Sequence, residues 1–481
     1  MLENLCDLIL AGGDVALPGE APARLDVAVK DGRIAAILAP GETRGGDAAR
    51  LDCSGLTILP GVIDVHLHLG HGGDISRPRV KEDALRETAA AAAGGVTCMI
   101  PYLMSNEPYD RIFDDVRAIT EAGARIDFGY HFIISTEEQL SGVESYIADY
   151  GTPSFKIFMN NRGGEGTRLG LPDIDDAFLY RLAEESARHG GMVCPHPENI
   201  EVAQYLRKAV MARDPAGSGG LAAWNDTRPP FVEADAVSRA ATLCKAAGAP
   251  VYIVHTSSKE ALDAAVAARK SGAQVVIETC PHYLTHDVSW EGGQIGKINP
   301  PLRLAADREA LWEGLRDGRI DTVATDHVHR GIASKDGNIW SASPGCPGME
   351  TLLPVMLSEG YRRRGIPISR IVELLCENPA RAMGLGDRKG GIRPGYDADF
   401  AIVDLDGSTR VANERVVSGA GYSIYDGWEL KGRVVHTFVR GRQVLRDGVL
   451  VEEAGGTGRY QKRRLPRASE HPHATPAAMG I

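Results

Sequence analysis

No stretch of the sequence approaches the ~18 consecutive apolar residues that suggest a membrane span. Its first ten residues carry no cationic region ahead of their apolar stretch, so we expect no secretory signal. An excess of basic residues is also missing, because 53 Lys and Arg against 64 Asp and Glu give a formal charge of −11. Nucleic-acid binding depends on clustered cationic side chains. The composition therefore predicts neither a membrane nor a nucleic acid as partner.

The eight cysteines form no C-x-x-C pair and no dense framework. This spacing argues against a zinc ribbon and against a disulfide scaffold, and it favours a reducing, cytoplasmic location. Cys98 lies within the apolar run Val96-Thr97-Cys98-Met99-Ile100, where a small buried hydrophobic residue is the simpler interpretation.

The 481 residues are 43% hydrophobic and 24% charged, which fits a globular chain larger than one small domain. Short β-like segments occupy residues 1–59, and segments of the same kind occupy residues 386–451. We therefore predict a small β-sandwich domain assembled from both chain ends. Residues 452–481 mix Gly, Pro, Arg and His without periodicity, and we interpret them as an extended C-terminal tail, flexible or wrapped around a partner.

Residues 60–385 alternate strand-like and helical stretches, which is typical of a parallel α/β structure. Eight such strands predict a TIM (β/α)8 barrel, whose active site lies at the C-terminal ends of the strands. A doubly wound open sheet is the alternative, but the glycine-rich fingerprint that it needs after its first strand is missing. The predicted strands are 61–66, 96–102, 127–134, 154–159, 192–197, 251–256, 275–280 and 322–326, and the clearest predicted helices are 82–93, 174–189, 234–247, 259–270 and 306–316.

Histidine and aspartate side chains cluster at the ends of these strands. His66 and His68 are two residues apart, so they face the same side of the first strand and can bind one ion. His196, His255 and Asp326 end strands five, six and eight. Each of these residues alone could be a polar side chain with a satisfied hydrogen bond, but a barrel brings all five residues to the same end. We therefore expect a metal site there.

Lys156 lies on the fourth strand within Ser154-Phe155-Lys156-Ile157-Phe158, where apolar neighbours make a buried charge costly. Burial favours the neutral amine, which can add carbon dioxide to give a carbamate, an anionic ligand able to bridge two metal ions. A lysine that reaches outward or pairs with a carboxylate is the alternative.

Six motifs extend this pattern: Pro60-Gly61-Val62-Ile63-Asp64-Val65-His66-Leu67-His68, Glu278-Thr279-Cys280-Pro281-His282-Tyr283-Leu284, Asn299-Pro300-Pro301-Leu302-Arg303, Thr325-Asp326-His327, Asn378-Pro379-Ala380-Arg381 and Gly395-Tyr396-Asp397-Ala398-Asp399. Together they resemble the amidohydrolase superfamily, in particular its cyclic amidase branch of hydantoinases, dihydropyrimidinases, allantoinases and dihydroorotases. The resemblance covers nearly the whole chain, including the divided β domain.

The resemblance implies a binuclear hydrolase that opens the C–N bond of a cyclic amide, imide or ureide. One divalent ion would be held by His66, His68 and Asp326 and a second by His196 and His255, with the carbamate of Lys156 bridging both. A hydroxide shared by the ions would attack the ring carbonyl, and Asp326 would pass its proton to the leaving nitrogen. Zinc is the first expectation, and manganese also suits these ligands. A homodimer or homotetramer is expected from the resemblance alone.

The substrate positions match the family unevenly. Dihydroorotases place an arginine two residues after the second histidine, where this chain has Gly70, and hydantoinases place a tyrosine five residues after the lysine, where it has Asn161. His282 and Asn299 look more like allantoinases and dihydroorotases, and Asn338 lies in a long loop that we expect to form part of the substrate wall. We name these five positions as candidate substrate contacts.

Two alternatives remain open for the activity. One is a dihydroorotase-like enzyme with a rearranged carboxylate clamp. The other is a non-catalytic scaffold on the same fold, although such relatives lose metal ligands and all six candidates are present here. A mononuclear deaminase of the superfamily would leave Lys156 without a role.

Overall fold

The computed structural model describes residues 6–17, 19–42 and 47–465. Its centre is a closed parallel barrel with eight strand positions, which we call barrel strands one to eight. They are Val62–His68, Val96–Leu103, Asp127–Phe128 with His131–Ile133, Ser154–Phe158, Met192–His196, Val251–Ile253, Val275–Thr279, and Thr322–Val323 with His327–Val328.

The eighth strand closes the barrel. Thr322 and Val323 continue the ladder from the seventh strand, whereas His327 and Val328 pair with the first. All residues of the first strand are buried, as expected for a parallel sheet covered on both faces. The TIM barrel is therefore confirmed, except that strands three and eight, predicted as continuous, are each interrupted.

The strands outside the barrel form one sheet from both chain ends, which confirms the predicted β domain. They are Leu8–Val15, Ala23–Lys30, Arg33–Leu38, Ala49–Asp52, Thr57–Pro60, Phe400–Arg410, Glu429–Val439, Arg442–Arg446 and Val449–Leu450. Thr57–Pro60 pairs with Leu8–Val15 on one side and with Phe400–Arg410 on the other. Side chains from both ends, among them Leu10, Ile58 and Phe400, share one apolar core.

Helices follow the barrel strands and cover the outside of the barrel. The α-helices are Lys81–Ala93, Phe113–Gly123, Glu137–Ser141, Val143–Ala148, Asp176–His189, Ile200–Arg213, Gly220–Thr227, Pro230–Ala247, Lys259–Lys270, Pro281–Thr285, Ala305–Asp317, Leu352–Val355, Ile368–Val372 and Asn378–Ala382, and wider π-type turns span Met356–Arg362 and Glu373–Glu377. Shorter 3-10 turns are Tyr109–Arg111, Glu165–Leu169, Gly293–Gly296, Ile332–Lys335, Met349–Thr351, Asn413–Arg415 and Glu452–Ala454. None of the helices in the described part of the chain combines the length and apolar character needed to cross a membrane.

A buried ionic cluster joins the barrel to the β domain. The Lys389 ammonium lies 2.8 Å from Asp127 of barrel strand three, 2.6 Å from Asp399 and 3.1 Å from Asp397. Arg440 also pairs with Asp127. Because the lysine fills the space between the three carboxylates, this cluster holds its own cation and is structural.

The C-terminal segment packs against the barrel as far as residue 465. It runs beside barrel strand three, where Phe128 N donates to Arg459 O and Gln461 N donates to Phe128 O. The buried Arg463 guanidinium donates to Ser154 Oγ at 2.8 Å and to Tyr130 O. The first part of the expected tail is thus held on the barrel, and its residues 466–481 lie outside the described residues.

Candidate metal centre

The six predicted ligands converge at the C-terminal ends of the barrel strands, and all of them except His66 line a cavity of about 90 Å³. His66 Nε2 lies 3.1 Å and His68 Nε2 3.6 Å from Asp326 Oδ1. These three donor atoms all lie within 4.8 Å of one another. They form a three-ligand group from strands one and eight.

A second group faces the first across the cavity. His255 Nε2 lies 2.8 Å from His196 Nδ1, and both side chains line the cavity. Lys156 stands between the groups, with its Nζ 3.4 Å from His66 Nε2 and 4.5 Å from the centre of the Tyr102 ring. It is buried among the ligands, so the outward-reaching alternative for this lysine does not hold.

Two buried carboxylates that the sequence analysis did not single out fix the histidine rings. Glu278 Oε1 accepts from His66 Nδ1 at 2.6 Å, and Glu198 Oε2 accepts from His196 Nε2 at 2.7 Å. Each bond places the ring proton on the nitrogen beside the carboxylate, which leaves a lone pair on the other nitrogen, toward Asp326 Oδ1 for His66 and toward His255 Nε2 for His196. Glu278 lies in a recognised motif and Glu198 two residues after His196, but only the folded barrel gives them partners.

The donor set therefore fits divalent cations. Two inward nitrogens have their lone pairs fixed, and a carboxylate completes the first group. Neutral imidazole and carboxylate are ordinary ligands of such ions.

Burial sets the protonation of the imidazoles. It lowers the pKa of His68 to about 4 and that of His255 well below its usual value, and it also lowers the pKa of His196. For His66 the burial effect is outweighed by the charge of Glu278, which raises the pKa.

Burial lowers the pKa of the Lys156 amine, against the charges of Asp326 and Glu278. For Asp326 itself, burial would raise the pKa, but the His66 charge and the bonds from His66 and His68 hold it well below its usual value. The site thus combines an amine biased toward its neutral form with an ionised carboxylate.

Two of the predicted ligands adopt strained backbone conformations. His255 has φ 41° and Asp326 φ 48°, in the left-handed region that non-glycine residues rarely adopt. Asp64 supports the second turn, because its carboxylate accepts from Thr325 N at 3.1 Å and from Thr325 Oγ1 at 2.5 Å. Such strain at converging ligands is typical of functional sites.

Comparisons with known proteins agree with this geometry. The model of the amidohydrolase family matches residues 57–444. The chain belongs to the amidohydrolase family.

Its relatives lie in the cyclic amidase branch, as the motifs predicted. An allantoinase of Rubrobacter xylanophilus is 36% identical over 94% of this chain and 97% of its own length, and a D-hydantoinase of Rhizobium radiobacter is 33% identical over 95% and 99%. A solved dihydropyrimidinase from Brevibacillus agri superposes with a TM-score of 0.85 at 28% identity over 95% of this chain and 99% of its own. The chain is a cyclic amidohydrolase.

In this amidohydrolase the candidate substrate residues differ in whether they line the cavity of the predicted ligands. Asn299 lines this cavity, and its Oδ1 is buried without a described partner. His282 is buried, with Nδ1 4.0 Å from Cys346 Sγ, and burial lowers its pKa to about 3. His282, Asn161 and Asn338 are not among the described residues that line this cavity.

At the end of barrel strand four, the neighbour Asn160 lines the cavity in the place expected for Asn161. Asn338 instead holds two loops together, because its Oδ1 accepts from Trp340 N in its own loop and its Nδ2 donates to Ala216 O in another. A side chain at Gly70 would overlap the Asp74 carbonyl oxygen. Position 70 thus has no room for an arginine clamp, and Arg330, which the sequence analysis did not single out, lines the cavity.

Proposed function

We propose that this amidohydrolase opens the C–N bond of a small cyclic ureide, imide or amide, as an allantoinase- or hydantoinase-like enzyme. The observation that carries the proposal is the pair of carboxylate-fixed histidines, His66 and His196. They lie among His68, Lys156, His255 and Asp326 at one end of the barrel, where five of these six side chains line one cavity. The names of the relatives support the substrate class.

The residues present would hold two divalent ions. His66, His68 and Asp326 would bind the first, and His196 and His255 the second. Lys156, as a carbamate, would bridge them, and its buried amine supports that modification. When bound, the ions would polarise the ring carbonyl and lower the pKa of a water molecule. Zinc is the first choice, and manganese suits the same donors.

Asp326 would move the proton. Ring opening adds a water oxygen to the carbonyl carbon, breaks the C–N bond and transfers one proton from the water to the leaving nitrogen. Asp326 lines the cavity and is ionised, so its carboxylate can accept that proton and deliver it. We further propose a cytoplasmic homodimer or homotetramer, on the resemblance and the cysteine pattern alone.

Ring opening by protein reconstituted with zinc and bicarbonate tests the proposal. The substrates are dihydrouracil, 5-substituted hydantoins, allantoin, dihydroorotate and simple cyclic imides. We expect turnover of at least one, loss of nearly all of it in Asp326→Asn with metal still bound, and no metal-dependent turnover in Lys156→Ala. Turnover of dihydroorotate alone would favour the rearranged clamp, and two bound metals with no turnover would contradict the proposal.

A further inference from the structure

Two amide side chains share the wall of the cavity that the predicted ligands line. Apart from those ligands and Gly345, most of the described lining residues are apolar: Ile75, Phe158, Leu169, Val328 and Pro344. The remaining ones are polar: Asn160, Asn299 and Arg330. A ring held beside Asp326 would therefore meet apolar groups and two side-chain amides.

Each of these amides has a buried oxygen that no described residue satisfies. The Oδ1 atoms of Asn160 and Asn299 are both buried without a described hydrogen-bond partner. Buried polar atoms in folded proteins nearly always have a partner, because an unmade hydrogen bond costs free energy. Two such acceptors in one cavity wall favour a ligand that carries N–H donors.

The two amides come from different parts of the barrel. Asn160 lies four residues after Lys156, just past the end of barrel strand four, and Asn299 lies in the loop between barrel strands seven and eight. The cavity wall therefore has a side-chain acceptor at two separate points outside the ligand set. Arg330 cannot replace either one, because a guanidinium donates hydrogen bonds and does not accept them.

The number of ring N–H groups separates the three candidate substrate classes. A cyclic amide or imide has one ring N–H group, whereas a cyclic ureide has two, one on each side of a carbonyl group. Two buried acceptors match the ureide. A site built to bond an N–H group rejects an analogue that lacks it, because the buried acceptor then stays unpaired. The apolar side chains of the wall suit the carbon atoms of the same ring.

We propose that Asn160 and Asn299 select cyclic ureides over cyclic imides and simple cyclic amides, by accepting hydrogen bonds from the two ring N–H groups. This inference rests on the proposed ring-opening function and narrows its substrate class. Both side chains are neutral, so the selection depends on hydrogen-bond matching and not on charge. Asn160 and Asn299 are thus specificity-determining residues, separate from the residues that would hold the metal ions.

Pairs of rings that differ only at one N–H group test this inference. Succinimide is hydantoin with one N–H group replaced by CH₂, and glutarimide is related to dihydrouracil in the same way. The readout is the ratio of kcat/KM for the ureide to kcat/KM for the imide, compared between variant and unmodified enzyme so that the intrinsic reactivity of each ring cancels.

Asn160→Leu keeps nearly the volume of the side chain and removes its acceptor. We expect this variant of the reconstituted enzyme to lower the ratio by about 10–100-fold, through a higher KM for the ureide. Asn299→Leu, in a different loop, should lower the ratio in the same direction and provides a second test if Asn160→Leu does not fold. The change in the ratio should not depend on pH, because an amide does not titrate.

Asn161→Ala is the matched control, because it removes the neighbouring amide, which is not among the described residues that line this cavity. It should keep the ratio of the unmodified enzyme. An unchanged ratio in both Asn160→Leu and Asn299→Leu would overturn the inference while leaving ring opening intact, and so would equal losses for ureide and imide.

Calorimetric binding of the same four rings to metal-loaded Asp326→Asn gives the preference without turnover. We expect the ureide of each pair to bind more tightly, and Asn160→Leu in the same background should remove the difference. Absent ring opening by the unmodified enzyme would contradict the proposed function, whereas equal binding of ureide and imide would contradict the selection by the two amides.

Discussion

At the scale of single residues, the site depends on carboxylates that never face the cavity. Glu198 bonds both His196 and the Arg228 guanidinium, each at 2.7 Å. Burial would raise the pKa of Glu198, but the Arg228 charge and the His196 bond lower it to about 2. An ionised Glu198 keeps the His196 proton on Nε2 and so keeps Nδ1 available to a metal.

Glu198→Gln should therefore weaken metal binding. Outer partners of metal-bound histidines are typically worth 10–100-fold in affinity, and we expect a loss of about that size for the ion at His196. Competition with a chelator, followed by metal analysis, measures it. Glu201→Gln, three residues on and exposed, is the control, and unchanged affinity in Glu198→Gln would refute the positioning role.

Glu350 gives a pH-dependent prediction away from the site. Burial raises its pKa to about 7 from an ordinary 4.5, although Val417 N donates to its carboxylate at 3.0 Å. Between those two pH values the native state binds more protons than the unfolded state, so Glu350 makes stability fall as pH rises. Below about 4.5 its favourable contribution is complete, and above about 7 it is lost.

Glu350→Gln removes this titration and keeps the shape of the side chain. The free energy of unfolding of the variant, relative to that of the unmodified protein, should rise steadily from pH 4.5 to 7 and level off above. Denaturant unfolding across that range measures it, with the exposed Glu291→Gln as the control. A difference that is flat with pH would show that Glu350 does not titrate in this window.

At the scale of elements, the residues that end the barrel strands could be predicted, but the side chains that surround those residues could not. The spacing of His66 and His68 and the positions of His196, His255 and Asp326 follow from strand periodicity and barrel topology. Strand four ends just before Asn160 and Asn161, and a small change of backbone direction there decides which of the two faces the cavity. Hydrophobic periodicity does not resolve a difference of one residue. Glu278 has its role because it contacts His66 of strand one from strand seven, and the two residues are 212 positions apart in the sequence.

The loop after barrel strand one depends on close backbone packing at Gly70. His71 and Asp74 exchange backbone hydrogen bonds at 2.8 and 2.9 Å, which brings the Asp74 carbonyl against Gly70. Gly70→Ala should destabilise the protein by about 1–3 kcal/mol through overpacking. Thermal or denaturant unfolding measures it.

Gly73 supplies the matched control for that measurement. It lies in the same loop, and an added Cβ there would meet nothing within 4 Å. Gly73→Ala should therefore be nearly neutral. Equal effects of the two substitutions would mean that the Gly70 contact does not govern the loop.

At the scale of the whole molecule, the segment around Arg463 closes the N-terminal end of the barrel. The Arg463 side chain is 3% exposed and bonds to Ser154, Tyr130 and Met383. Arg463→Ala removes these donors and leaves buried acceptors without partners, which should cost about 2–5 kcal/mol. The adjacent Arg464 is exposed, so Arg464→Ala should change the free energy of unfolding by less than about 0.5 kcal/mol.

The composition of the segment around Arg463 predicted no fixed structure. A segment that follows the surface of a barrel needs no regular hydrophobic period, so the sequence carries no pattern that reveals it. Its order comes from the partners it meets on the barrel, and sequence patterns do not describe such partners. The barrel and the two-ended β domain were predictable because regular strands and helices carry their own periodicity.

The pairing of Thr57–Pro60 with Phe400–Arg410 has a consequence for biosynthesis. The ribosome releases the first of these strands about 340 residues before the second exists. At 5–20 residues per second, that interval is roughly 20–70 s. During that interval one edge of the hydrophobic strand Thr57–Pro60 has no pairing strand and can pair with other exposed strands. The nascent chain would therefore benefit from chaperone protection until Phe400–Arg410 emerges.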